Sequence, residues 1–190
     1  MNEDFLTYIR NNCWKNSNAD FVMMTDLDEV FYAKDIIAEL KTLKEQDAAV
    51  IACKWYALIG DSVPEYDEKL LLHQQIGKGY LQHINHRQGQ EAFGKLQLFN
   101  PKKVTSMTYS VGMHLAFPDA PITFNENIYQ FHFDKGFGAD YKIQKRRELW
   151  QRLGYEQKLK GYCLEYGWEE SKIRDEYENN KRIAEDISQL

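Results

Sequence analysis

Residues 21–30, Phe-Val-Met-Met-Thr-Asp-Leu-Asp-Glu-Val, lead an apolar run straight into three carboxylates, Asp26, Asp28 and Glu29. Like charges this close are unfavourable unless a cation or a set of donors compensates them. Hard divalent ions such as Mg²⁺ or Mn²⁺ take oxygen ligands from clusters of this kind. Asp26 and Asp28 point the same way if the segment stays extended, because strand side chains alternate with period two. The plainer reading is a solvated turn in which an acidic residue, Glu29 above all, caps the helix that follows.

The surrounding pattern says what must hold this cluster. Phe5, Leu6, Ile9 and Cys13 recur at helical spacing in Phe5 to Lys15. Phe21 to Met24 reads as a short buried strand whose carboxyl end carries the acids. Ile36, Ile37, Leu40 and Leu43 make Lys34 to Glu45 an amphipathic helix, with Asp35 in its favourable first turn. Ala48 to Tyr56 returns as a second buried strand. Strand, helix, strand in this order predicts a parallel βαβ unit, and ligands bind such sheets at the carboxyl ends of the strands.

Further along, Gly60 to Gly94 reads as an irregular excursion with one short helix around Lys69 to Ile76. Strands are expected at Leu96 to Phe99, Met113 to Phe117 and Ile128 to Phe133, and a charged helical region from Ala139 onward. The fold class expected is therefore α/β, with residues 1–190 as one domain and 139–190 as its helical C-terminal extension.

Composition narrows the function classes. The 190 residues carry a net charge of −5, which argues against a general nucleic-acid binder. No apolar run approaches the roughly 20 residues that span a bilayer, and the first residues lack signal-peptide character. These features point to a soluble, cytoplasmic chain that can meet the inner membrane face only peripherally. Aromatics make up 14% of the sequence and suit both cores and sugar faces. Cys13, Cys53 and Cys163 form no CxxC pair, so reduced, mostly buried thiols are expected.

Several segments, in order, resemble family 2 glycosyltransferases of the GT-A type from bacterial glycan pathways. Arg10-Asn11-Asn12-Cys13-Trp14 precedes Ala19-Asp20-Phe21-Val22 and then Asp26-Leu27-Asp28-Glu29, which is similar to that family's DxD region. Lys95 to Pro101, Gly112-Met113-His114 with Pro118, His132 to Gly136 with Tyr141, and Gly167-Trp168 match later elements. Phe133-Asp134 departs from the usual aromatic pattern after the histidine.

The resemblance implies metal-dependent transfer of a sugar from a nucleoside-diphosphate donor to a glycan, lipid-linked or other hydroxyl acceptor. It implies Asp28 as the metal ligand, with Asp26 on the metal or the donor ribose and His132 as a further ligand. The ion would be Mn²⁺ or Mg²⁺. Lys135 is expected to face donor diphosphate oxygens, and His114, Trp55 and Tyr80 the acceptor region. An inverting reaction needs a carboxylate base, for which Asp61 and Asp134 are candidates. Arg146, Arg147 and Arg152 could meet a phosphate or form a solvated face. His83 and His86 make a weak zinc pair.

Two other readings compete. A glycan-binding or assembly module could keep this fold without donor binding. The haloacid dehalogenase-like phosphatases also use Asp-x-Asp at a strand end, and Gly60-Asp61 looks like their later metal motif. Too few residues separate Asp26 from Asp61 for that family's intervening strands. At roughly 30 residues per βαβ unit, the segment before Asp26 supplies one helix only. The expectation is therefore an incomplete GT-A-like half, either because the sequence is truncated or because an exposed sheet edge pairs with another chain, a second copy or a different partner.

Overall fold

The computed structural model describes residues 2–85, 91–93 and 95–190, with 83–85 and 91–93 given by their backbone. In chain order the elements are α1 (Glu3–Asn12), β1 (Val22–Met23), β2 (Glu29–Tyr32), α2 (Ile36–Glu45), β3 (Val50–Ile59), α3 (Leu72–Ile76), β4 (Lys78–Leu81), β5 (His83–Asn85), β6 (Glu91–Phe93), β7 (Leu98–Phe99), β8 (Ile122–Lys135), α4 (Ala139–Arg152), α5 (Tyr155–Leu159), α6 (Glu170–Ile183) and β9 (Glu185–Asp186). The architecture is mixed α/β. No helix among the described residues is long and apolar enough to cross a membrane. The chain forms two compact units, one from Glu3–Trp55 with Gln82–Gln130, the other mainly from Tyr56–Leu81 with Phe131–Leu190.

In the first unit β3 reads as a continuous apolar run because both its faces are covered. Val50 and Ala52 join Trp14, Leu96, Phe99, Val104, Met107 and Tyr109 in one cluster. Ile51 and Cys53, one residue out of step, join Leu43, Leu98 and Ile128 in another, against which Phe31, Ile36 and Leu40 pack. This period-two split of a single strand between two cores is what a central strand requires. Asp35 caps α2 by accepting from the Ala38 amide at 3.0 Å, and Ile36, Leu40 and Leu43 form the inner stripe of the helix. Asp35 is thus the N-cap rather than a first-turn residue.

The expected parallel βαβ pair is corrected. β7 lies between β1 and β3 and is antiparallel to both, with Val22↔Phe99 on one side and Val50↔Phe99 on the other. β1 and β3 still run in the same direction, but they are not neighbours. Leu98 and Phe99 supply one side chain to each core, which gives two residues from a distant segment the central place. Met113 to Phe117 is not a strand. Gly112 and Met113 have φ of 72° and 55°, and buried Met113 and Ala116 belong to an irregular turn. β8 begins earlier than expected, at Ile122. Its first half is masked in the sequence by Asn125, Glu126 and Asn127, two of which bond the Glu39 carboxylate at 3.0 and 2.9 Å.

In the second unit β4 pairs antiparallel with the later half of β3 (Ala57↔Tyr80), and β9 pairs antiparallel with β4 (Gly79↔Glu185). The stretch read as irregular after Gly60 thus contains a strand, and the C-terminal region ends in one. α3 stops at Gly77, whose φ of 72° suits a left-handed cap. His86 lies outside the described residues, and only the backbone of His83 is described.

Candidate functional site

β1 delivers the chain to the acidic turn. The Met24 amide donates to the Gln97 carbonyl at 2.8 Å, and the Glu29 amide to the Asp26 carbonyl at 3.1 Å. Glu29 does not cap a helix. Its carboxylate accepts from the Asp26 amide at 3.2 Å and from the Lys95 ammonium. Both side chains of that pair are inaccessible to solvent, at 0% for Glu29 and 2% for Lys95. The ammonium also stands 5.3 Å from the centre of the Trp55 ring. Asp26 pairs with Arg10 of α1 at 2.6 Å. Asp26 and Glu29 are therefore compensated by protein cations, which fixes the turn that carries Asp28.

His132 and Asp134 alternate with buried Phe131, Phe133 and Lys135 along β8, so they share one face of the strand. Asp134 accepts from Lys142, buried on α4, and from Lys145 at 3.5 Å. On the opposite face Lys135 donates to the Tyr80 hydroxyl at 2.9 Å and to Glu176 at 2.8 Å. Arg146 reaches Glu176 at 2.9 Å and lies 5.4 Å from the Trp168 ring. Burial raises the Glu176 pKa, but the bond and charge of Lys135 and the charge of Arg146 outweigh it and hold the carboxyl below its ordinary value. A half-buried carboxylate shared by two buried cations is the expected way to keep all three charged.

The remaining expected site residues lie apart. Trp55 and Tyr80 are buried in the cores, and His114 is exposed beside Gly112. Asp61 is exposed and pairs with Lys181 of α6. Gly60, next to it, has a packing role. A Cβ there would run into the Gly136 carbonyl, and the Gly60 carbonyl accepts from the Tyr177 hydroxyl.

Asp28, on the acidic turn of the first unit, and His132 with Asp134, on one face of β8 in the second, are half-buried side chains of metal-ligating type. Asp26 is not in this set. Two carboxylate oxygens and one imidazole nitrogen suit Mn²⁺ among the hard divalent ions, since the imidazole favours a softer ion than Mg²⁺. Asp28 and His132 fit that role directly. Asp134 already carries two lysines, so it joins as a ligand only by sharing or releasing one of them.

Lys142 and Lys95 are the residues that sequence reasoning missed as parts of this region. Lys142 sits among seven basic residues between 141 and 160, and nothing in its spacing singles it out. Lys95 had a signal, a lone lysine heading an apolar run that follows a buried strand. Compared with family models, with curated proteins and with solved structures, the chain matches none of them.

Proposed function

We propose that this chain carries the metal-binding part of a glycosyltransferase of the GT-A type, which moves a sugar from a nucleoside-diphosphate donor to a hydroxyl acceptor. Two observations support this reading, the acidic turn bearing Asp28, held by the buried Glu29–Lys95 pair in the first unit, and the half-buried His132 and Asp134 on one face of β8 in the second. A DxD turn joined by a histidine from a later strand is an arrangement suited to an ion that in turn holds a diphosphate. When bound, the ion supplies Lewis-acid stabilisation of the charge that grows on the departing diphosphate. Asp28 and His132 hold it, and the buried Glu29–Lys95 pair keeps the turn from relaxing away from the site. Lys142 and Lys145, which bracket Asp134, offer ammonium groups to phosphate oxygens. Asp134, on the same face of β8 as His132, is the carboxylate proposed to take the acceptor proton, and Asp61, which lies apart and pairs with Lys181, is set aside.

Titration calorimetry tests this. UDP- or GDP-sugars, with and without Mn²⁺, are titrated into the wild type and into Asp28→Ala. The expected result is Mn²⁺-dependent donor binding in the wild type and its loss in the variant. Folded protein that binds no donor at millimolar concentration would sink the enzyme reading. Donor binding that is equal in Asp28→Ala would move the metal elsewhere.

A further inference from the structure

We draw no further inference here: the strongest candidate, the surface patch of exposed Val63, Tyr66, Leu70 and Leu71 in the segment that Gln75 of α3 pins through hydrogen bonds to the Asp67 and Leu70 carbonyls, is an apolar face, and nothing in the structure shows what covers it.

Discussion

Lys95 and Glu29 form an ion pair that water scarcely reaches, and it anchors the acidic turn from below. Removing one partner strands the other charge in the interior. Lys95→Met should therefore cost about 3–5 kcal/mol, whereas Lys95→Met combined with Glu29→Gln should recover most of that loss. Urea unfolding of the single and double variants reads both outcomes. Equal stability of the single variant and the wild type would mean that the pair is not buried in solution.

Gly138 has φ of 94°, and a Cβ on it would collide with the Asp61 carbonyl. At Gly60 the collision would be with the Gly136 carbonyl. Alanine at either position should destabilise by about 2 kcal/mol or more. Gly154, where a Cβ would meet nothing nearer than 4.0 Å, is the control. Gly154→Ala should cost about 1 kcal/mol or less. Thermal melts of the three variants decide the ranking.

The Cys53 thiol is fully enclosed, and burial pushes its pKa up to about 12. Thiolate is the reactive form, so Cys53 should resist a thiol reagent at pH 8 in the native protein and react once urea unfolds it. Exposed Cys13 should react in both conditions. Peptide mapping after labelling distinguishes the sites.

His73 stacks on Phe131 with ring centres 4.4 Å apart. Burial holds its pKa below the ordinary histidine value, partly opposed by the Leu190 carbonyl. The folded chain therefore binds fewer protons than the unfolded one just below that ordinary value of about 6.5. The contribution of the neutral ring to stability is complete above this pH and is lost as pH falls towards the folded-state value. His73→Phe should flatten the decline in stability between pH 7 and pH 5 relative to wild type. Denaturant midpoints at several pH values within that window provide the measurement.

Local periodicity made much of this molecule legible. Ile36, Leu40 and Leu43 placed α2 within two residues of its ends, and the apolar run at 48–56, broken only by Lys54, identified β3. The acidic turn was visible as chemistry because carboxylates followed an apolar strand. Pairing between distant segments was not visible. Leu98 and Phe99 are two residues with no period of their own, and only tertiary packing puts them between β1 and β3. Met113 and Ala116 imitated a strand because an irregular turn can bury apolar residues as well as a sheet does. At the site, Asp28 and His132 were singled out in advance. Asp26 was singled out with them, but its fate depended on Arg10, and no spacing rule connects a helix residue to a turn sixteen positions later.

The two-residue strand β7 sets a schedule for synthesis. Val22 and Met23 gain their sheet partners only when the chain has grown about seventy residues further, and Val50 and Ile51 wait for the same pair. Contacts so distant in sequence are slow to close. A nascent chain that has emerged only as far as β3 lacks the β7 partner of that strand and exposes part of its apolar run. The acidic turn can take its final shape only after Lys95 leaves the exit tunnel, when at least half of the chain has been made.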